Sequence, residues 1–253
     1  MSPCLHARAR RSGALLVLPL IVLVVTAQFG CGDDNPAAPP STPKPQKVLK
    51  LDGAGDYMTV PLASHSFNRF TFEAWVKVSD YDANVHYISL YQTAHIVLGD
   101  YGSGNGPVST WATSLSPVNA GDATVESDIT PATWHHLALS YDGTNQYVLV
   151  DGDVVLTVPT TGTVLYDTGT YNQGLVIGAR YTGGTQYVTG EIDEVRLWNV
   201  YRTPEQIRAN MDVVLPDKSG LVGYWNFDDG TTKDRTAYAA NGTLVGDAVI
   251  VDK

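Results

Sequence analysis

The sequence is poor in cysteine and in positive charge. It has two cysteines in 253 residues, Cys4 and Cys31, so the chain beyond residue 31 contains no disulfide bond. Its 16 lysines and arginines are outnumbered by 26 aspartates and glutamates, which gives a net charge of −10. Residues 1–30 hold three arginines and no acidic residue, so their removal would leave −13. This acidity argues against nucleic acid as a partner and against electrostatic docking to an anionic membrane.

The sequence also lacks an apolar run long enough for a comfortable transmembrane helix, which needs about 20 residues. The longest candidate, residues 14–27, is interrupted by Pro19 and follows a segment with three arginines. A basic segment followed by a short apolar one predicts a secretory signal peptide over residues 1–30. The alternative interpretation is that the apolar segment is retained as a membrane anchor.

A single cysteine in an exported domain requires an explanation. The tetrapeptide Gln28-Phe29-Gly30-Cys31 resembles the lipobox of bacterial lipoproteins, because a small residue stands directly before the cysteine. Gln28 departs from the pattern, which usually has leucine there. The resemblance implies a lipid on Cys31 and a protein held at the outer membrane or cell surface by that lipid alone. A rival cleavage site after Ala27 would instead give a secreted protein.

Residues 31–47 combine the cysteine with a segment that has almost no apolar bulk. This segment contains five prolines, at positions 36, 39, 40, 43 and 45. Proline-rich segments of this kind are extended, semi-rigid spacers. We therefore expect a lipidated cysteine and a tether over residues 31–47, followed by one domain over residues 48–253.

The domain has the pattern of an all-β protein, with short strands separated by turn residues every eight to twelve positions. Residues 70–78 alternate strictly, which predicts a strand with one apolar face. Its members are Phe70, Phe72, Ala74, Val76 and Val78, and the other face holds Thr71, Glu73, Trp75 and Lys77. Asp151-Gly152 between two apolar runs predicts a two-residue hairpin turn.

One short helix is expected near residues 203–211. Thr203 is a suitable N-cap, Pro204 suits the first helical position, and Gln206 stands three residues after the cap. These three residues together predict a capping box at the start of the helix.

Several segments, in this order and spacing, resemble laminin G-like domains of the concanavalin A-like jelly-roll fold. The C-terminal segments 220–234 and 241–244 resemble one often found at the start of such domains, and here they come last. The other similar segments are residues 48–61, 70–77, 134–143, 147–152, 175–178 and 190–198 with the helix that follows. The resemblance implies an antiparallel β-sandwich over almost the whole mature chain, in which the C-terminal tail adds an edge strand.

The resemblance also implies a function. Proteins of this family usually bind sugars or proteins and do not transform them, so the expected partner is a glycan or a component of the cell envelope or matrix. Binding is expected on the concave sheet or at the loop rim. A structural module for protein–protein interaction is an alternative.

A second alternative is a glycoside hydrolase of the laminarinase type, which shares this jelly roll. Glu191-Ile192-Asp193-Glu194 resembles the carboxylate strand of those enzymes, and Glu191 and Asp193 share one face of a strand. A retaining hydrolase needs both a nucleophile and an acid/base residue. The position of the last acid holds Val195 or, if the strand contains a bulge, Arg196, so we expect no enzymatic activity.

The family resemblance further implies a structural Ca²⁺ site. Its first expected ligand is Asp193, followed by Asp52, Gly53 and Asp234. Carboxylates and turn carbonyls suit Ca²⁺, which takes six to eight oxygen ligands. The alternative is that Asp193 caps a turn and that the others are ordinary loop residues.

Aromatic residues outside the family-like segments are the candidate ligand contacts. Trp111 follows a glycine-rich loop, and Tyr91, Tyr101 and Tyr181 lie in neighbouring loop regions. Aromatic rings with a polar tip suit sugars, which have an apolar face and a hydroxyl rim. The alternative is that the tyrosines stand at strand edges because of their β-propensity.

Overall fold

A computed structural model describes most of the chain beyond residue 46. The described residues are 47–62, 68–79, 85–90, 94–98, 108–111, 115–116, 123–125, 129–164, 174–183, 186–213 and 218–253. The predicted signal peptide, Cys31 and nearly all of the tether lie outside these residues, as do Tyr91 and Tyr101. The described part of the chain holds no helix that is both long and apolar enough to cross a membrane.

The described residues form seventeen strands and one helix. The first nine strands are β1 (Lys47–Asp52), β2 (Tyr57–Val60), β3 (Phe70–Val78), β4 (Val85–Leu90), β5 (Ala94–Leu98), β6 (Val108–Trp111), β7 (Leu115–Ser116), β8 (Ala123–Val125) and β9 (Trp134–Tyr141). Then follow β10 (Asn145–Val150), β11 (Asp153–Pro159), β12 (Thr163–Val164), β13 (Leu175–Ile177), β14 (Thr189–Trp198), α1 (Pro204–Arg208), β15 (Leu221–Trp225), β16 (Thr243–Val245) and β17 (Val249–Asp252).

Two antiparallel sheets make up the fold. The large sheet has the order β11-β10-β9-β3-β14-β1-β17, with β15 also paired to β14, and the small sheet has the order β16-β2-β13-β4-β5-β6-β8. Strands β7 and β12 form a separate two-stranded ribbon. Strands far apart in sequence are neighbours in both sheets, as in other sandwiches. The predicted all-β sandwich is confirmed.

The core lies between the inner faces of the two sheets. From the large sheet it receives the apolar face of β3, so the predicted alternation of residues 70–78 is confirmed. Met58, Val60, Leu175 and Ile177 meet this face from the small sheet. All four are completely buried, and interdigitation of such side chains is the main source of stability in a sandwich.

The two local predictions from turn and cap chemistry are also confirmed. Asp151 and Gly152 have φ angles of +52° and +80°, which a two-residue hairpin turn of the type I′ class requires at both positions. In α1, the Thr203 hydroxyl accepts from the Gln206 amide while the Gln206 side chain accepts from the Thr203 amide. The helix itself ends at Arg208, before the residue 211 that the sequence suggested.

The C-terminal tail supplies an edge strand to both sheets. Strand β16 pairs with β2 at one edge of the small sheet, and β17 pairs with β1 at one edge of the large sheet. A third tail strand, β15, pairs with the second half of β14. The tail therefore closes the sandwich more extensively than the single edge strand that the sequence suggested.

Strand β14 contains a bulge at its centre. Asp193 pairs with Trp75, but the next residue on the same face, Arg196, pairs with Glu73. Glu194 and Val195 of β14 thus lie opposite the single residue Ala74 of β3, and the extra residue is accommodated by Glu194, whose φ is +52°. A bulge of this kind bends the strand and redirects its side chains.

Candidate functional site

The outer face of the large sheet is covered by residues 199–213, which we call the cover segment. At its start, the amide of Arg202 donates to Thr71 Oγ1 at 3.0 Å, and Ser140 Oγ donates to the Arg202 carbonyl at 2.9 Å. At its end, Trp75 Nε1 donates to the Met211 carbonyl at 2.9 Å. Between these points Ile207 packs in an apolar cluster with sheet residues. The segment is therefore tied to the sheet along its length.

A buried polar cluster lies beneath the cover segment. Glu73 is completely buried, accepts from Trp198 Nε1 at 2.6 Å, and lies 3.4 Å from His136 Nε2 and 3.9 Å from Arg196 Nη1. The Arg196 guanidinium also pairs with the Glu194 carboxylate, which accepts from the Tyr224 hydroxyl. We call these residues, without Trp198, the Glu73 cluster.

The electrostatics of the Glu73 cluster keep its acid ionised. Burial alone would raise the pKa of Glu73, but the nearby His136 imidazole and the charge of Arg196 outweigh it and hold the pKa below its ordinary value. Burial would likewise lower the pKa of Arg196, but Glu73 and Glu194 raise it. Each buried charge therefore has an opposite partner, and a cluster of this kind fixes geometry more than it adds stability.

Asp193 lies beside this cluster without a partner. Its side chain is completely buried at the bulge, and neither carboxylate oxygen has a hydrogen-bond partner among the described residues. Burial, followed by the negative charges of Glu194 and Asp228, raises the pKa of Asp193 to about 9, against smaller opposing effects of the Glu194 backbone amide and of Lys253. Each buried carboxylate must either hold a proton or acquire a cation. Asp193, the first predicted Ca²⁺ ligand, is thus a buried acid without a hydrogen-bond partner among the described residues.

A second acidic group brings together a predicted ligand and two residues that the sequence analysis missed. Carboxylate oxygens of Asp52, Asp56 and Asp247 lie within 4.8 Å of one another, and no other group of three potential ligands is found among the described residues. Asp56, however, accepts from the amides of Asp52 and Asp247. Its oxygens already hold the β1–β2 turn to the C-terminal tail.

Gly53 and Asp234 have well-defined structural environments. Gly53 has a φ of +83°, and a Cβ there would lie 2.2 Å from Thr189 Oγ1, so only glycine fits. Asp234 is buried and accepts from the amides of Tyr224, Thr236 and Ala240 and from the Thr236 hydroxyl. Asp234 thus organises the turn of the C-terminal tail, and the group of three carboxylates includes neither it nor Asp193.

Of the predicted aromatic contacts, the structure describes the position of Trp111 and of Tyr181. Trp111 pairs with His95, His95 pairs with Ser89, and Ser89 pairs with Val176, so the four positions form one cross-strand row of the small sheet. Tyr181 lies in the loop after β13 and is partly exposed. In this loop Tyr187 stacks on Tyr57 with ring centroids 6.1 Å apart. Tyr91 and Tyr101 lie outside the described residues.

The two carboxylates that resemble a hydrolase strand face the same way, as predicted. Glu191 pairs in register with Lys77, and Asp193 pairs with Trp75 on the outer face. Glu191 forms an ion pair with Lys77 Nζ at 3.1 Å, while Asp193 is inaccessible to solvent. The bulge also places Arg196 at the next outward position, which the sequence analysis named for this case. This arrangement does not present two accessible carboxylates to a glycosidic bond.

Sequence reasoning did not find several polar residues of these sites, because the residues that they contact are mostly distant in sequence. They are Asp56, Asp228, Asp247 and the partners of Glu73 in its cluster. Glu73 was recognised as outward-facing, but the pattern of one strand does not reveal what covers it. Asp228 follows Phe227, whose φ of +54° is unusual for a non-glycine residue and marks a constrained turn. A positive φ cannot be read from the sequence at a phenylalanine.

Comparison with known proteins gives a consistent result. The family model of the concanavalin A-like lectin/glucanases superfamily matches residues 52–208. Among curated proteins, no sequence matches this chain. The similar solved structures include a candidate carbohydrate-binding protein from Bacteroides ovatus, with 24% identity and a TM-score of 0.67 over 83% of this chain. That match covers 60% of the Bacteroides protein, so this chain spans less than two thirds of its length.

Two further structures are similar in fold at lower identity. The SAP-like pentraxin of Limulus polyphemus is 12% identical, with a TM-score of 0.57 over 82% of this chain and 94% of that one. The CBM40 of the Ruminococcus gnavus IT-sialidase, bound to α2,3-sialyllactose, is 11% identical, with a TM-score of 0.50 over 66% of this chain and 98% of that one. These likenesses establish the architecture.

The unpartnered Asp193 predicts an unusual dependence of stability on pH. Its folded pKa of about 9 lies above the ordinary 3.8, so between these values the folded protein holds a proton that the unfolded chain has lost. The stabilisation of the folded protein by the proton on Asp193 is therefore fully present below pH 3.8 and is lost as the pH rises toward 9. Relative to Asp193→Asn, the wild-type protein should lose roughly 1.4 kcal/mol of unfolding free energy per pH unit in this window.

Urea denaturation of both proteins in the presence of a chelator, at several values from pH 5 to pH 8, measures this difference. Asp252→Asn, which changes an exposed carboxylate, is the control. Parallel pH profiles for wild-type protein and Asp193→Asn would show that Asp193 is not an isolated buried acid.

Proposed function

Because the chain belongs to the concanavalin A-like lectin/glucanases superfamily, we propose that it is an exported, lipid-anchored protein that binds carbohydrate without transforming it. The observation that carries this proposal is the family match across both sheets of the sandwich. The seven-stranded small sheet lies away from the cover segment. Such sheets and their rims offer shallow surfaces that are suited to extended sugars.

The ligand site that we propose lies on the small sheet near Trp111. Support comes from the register, which aligns Trp111 with His95, Ser89 and Val176 across four neighbouring strands; because Ser89 and Val176 are completely buried, the site is proposed at the Trp111 end of this row. Tyr181, in the partly exposed loop after β13, is included in the proposed set as a second aromatic side chain. Tyr91 and Tyr101 complete the proposed set from sequence position alone. An aromatic platform of this kind binds the apolar face of a sugar while loop groups bind its hydroxyls.

The absence of a chemical step is part of the proposal. Its support is the burial of Asp193 and the ion pair of Glu191, since hydrolysis needs carboxylates on both sides of an accessible bond. A hydrolase would release reducing sugar from the polysaccharides that it binds, and this release would be lost in Glu191→Gln.

We further propose a structural Ca²⁺ held by Asp193. The buried carboxylate without partners fits a cation, and Asp228 lies close enough for its charge to act on Asp193. Carbonyl oxygens and water would complete the six to eight ligands that Ca²⁺ takes. The ion would supply only charge compensation, replacing the proton that Asp193 otherwise holds. Asp52, Gly53 and Asp234 are then less suited, because Gly53 offers only its carbonyl and the two aspartates accept hydrogen bonds from the protein.

The carbohydrate proposal predicts retardation of the protein in native gels that contain a suitable polysaccharide. A screen of neutral and acidic polysaccharides identifies the ligand. Trp111→Ala should then weaken binding about tenfold, since an aromatic contact contributes roughly 1.4 kcal/mol. Tyr238→Ala removes an exposed ring remote in sequence and should bind normally. Equal retardation of wild-type protein and Trp111→Ala would place the ligand elsewhere, and no retardation in any gel would favour a protein-binding module.

The metal proposal predicts that Ca²⁺ raises the melting temperature at pH 8 more than at pH 5, because protonation of Asp193 competes with the ion. At a hundredfold excess over Kd the stabilisation should be about 2.7 kcal/mol. Asp193→Asn should lose it and Asp52→Asn should retain it. The reverse pattern in differential scanning calorimetry would assign the ion to the group of Asp52, Asp56 and Asp247.

The lipid anchor predicts a simple change of location. Cys31→Ser in the full chain should move the protein from the membrane fraction to the soluble exported fraction. Without the lipid, the acidic domain would be repelled by an anionic membrane surface. Cys4→Ser should remain in the membrane fraction, since Cys4 lies within the predicted signal peptide. Retention of the Cys31→Ser variant on the membrane would indicate an uncleaved apolar segment instead.

A further inference from the structure

A cavity of about 410 Å³ opens between the cover segment and the end of β14. Trp198 and Arg202 form part of its wall, with Tyr201, Gln206, Asn210 and Lys218 around them. The cavity lies on the outer side of the large sheet, whereas Trp111 lies in the small sheet. It is therefore distinct from the carbohydrate site proposed above and does not depend on it.

Arg202 is held rigidly at this cavity. Its amide is fixed to Thr71, as described above, and its guanidinium lies 3.9 Å above the ring of Trp198. Trp198 in turn is anchored because its Nε1 donates to Glu73. Stacking on tryptophan and a bond from Arg202 Nη2 to the Gln206 carbonyl, at 2.9 Å, leave the guanidinium little freedom.

The guanidinium has unused hydrogen-bonding capacity. Arg202 is 8% exposed, and its Nε is buried without a hydrogen-bond partner among the described residues. Within the same part of the chain, no carboxylate lies within 4.0 Å of it. Burial lowers the pKa of Arg202, Glu73 partly restores it, and the charge of Arg196 lowers it further. A buried cation in this condition favours an anion.

The remaining lining adds positive charge and no negative charge. Lys218 is exposed at the mouth, and the described lining contains neither aspartate nor glutamate. This contrasts with the strong net negative charge of the whole chain. A local reversal of sign at a concave site raises the local concentration of an anionic ligand there.

We propose that this cavity binds the carboxylate of a uronic acid residue in an acidic polysaccharide, with Arg202 and Lys218 on the carboxylate. The planar guanidinium suits a carboxylate, and charge-assisted bonds to it are stronger than neutral ones.

Two features favour a sugar over an acidic peptide as the occupant. The volume is at the small end of ligand pockets, which are roughly 300–1,000 Å³, and suits one or two rings. Val200 and the ring of Tyr201 provide apolar surface. Gln206 Oε1 accepts from the Thr203 amide and Asn210 Nδ2 donates to the Gln206 carbonyl, so Gln206 Nε2, Asn210 Oδ1 and the Ser219 hydroxyl are the groups that can bond to ring hydroxyls. Tyr147 supports Tyr201, with ring centroids 5.7 Å apart. The mixture of apolar and hydroxyl-binding surface matches a pyranose.

The test is isothermal titration calorimetry of the full chain with trigalacturonate. The wild-type protein should bind it, and the trimethyl ester, which has the same rings without charge, should bind at least about tenfold more weakly because the charge-assisted bonds are lost. Lys218→Gln should weaken binding about fivefold, as expected for an exposed ion pair. Arg202→Lys keeps the charge but loses the planar fork, and should weaken binding more than about tenfold.

Matched controls distinguish this site from a general charge effect. Lys233→Gln makes the same charge change at an exposed residue outside the cavity and should bind as the wild-type protein does. Since Lys218→Gln alters only an exposed side chain, the proposal stays testable even if Arg202→Lys is unstable. It would be overturned if trigalacturonate failed to bind, or if Lys218→Gln and Lys233→Gln behaved alike. Tighter binding of acetylated triglutamate than of trigalacturonate would assign the cavity to acidic peptides and would also overturn it.

Discussion

The bulge in β14 is the constraint on which the polar architecture depends. This strand lies at the centre of the large sheet and pairs with β3, β1 and β15. Without an extra residue, strict alternation would point Arg196 into the apolar core if Asp193 pointed outward. The positive φ of Glu194 resolves this conflict, and both residues reach the outer face. The shared outward position of Asp193 and Arg196 follows from that single local distortion.

The outer face then holds Arg196 between two carboxylates at its centre and an ionisable group without a partner on each side. Arg196 lies beside Glu73 and Glu194, His136 Nε2 lies 3.4 Å from Glu73, and the Tyr224 hydroxyl donates to Glu194. Asp193 has neither a cation nor a donor within hydrogen-bonding distance among the described residues, and Arg202 likewise has no carboxylate there. Glu73 Oε2, both His136 ring nitrogens and Arg196 Nε also lack a hydrogen-bond partner there, but each carboxylate of the cluster lies beside the Arg196 guanidinium. The two uncompensated groups are the places where a ligand gains the most, a cation at Asp193 and an anion at Arg202.

Local chemistry could be predicted from the sequence because it depends on neighbours in the chain. The alternation of β3, the Asp151-Gly152 turn and the capping box of Thr203 each require only a few adjacent residues. The order of the family-like segments also predicted the sandwich correctly. The same reasoning explains why α1 was expected to be longer. The helix ends in a tighter turn instead, in which the Asn210 amide donates to the Ile207 carbonyl, and the carbonyls of Asn210 and Met211 accept from Arg196 and Trp75.

The site could be predicted only in part, since its contacts join distant residues. Asp193 was identified from its strand, but its lack of partners depends on the bulge and on what covers the sheet. Asp56 and Asp247 are separated by 191 residues and meet only because the tail closes the small sheet. Arg202 was outside every predicted site, because a residue just before a helix cap gives no sign that it will stack on Trp198.

The placement of charge also bears on how an acidic protein could recognise an acidic polymer. Long-range repulsion from a chain of net charge −10 would slow the approach of a polyanion and would be weakened by salt. Within the cavity, the bonds to Arg202 act over a few ångströms at a partly buried site and are screened much less. Added salt should therefore weaken this interaction less than it weakens ordinary surface binding. The rest of the surface repels every polyanion, and only a uronate that fits the cavity gains the bonds to Arg202. The proposed site would therefore discriminate such a uronate from polyanions in general.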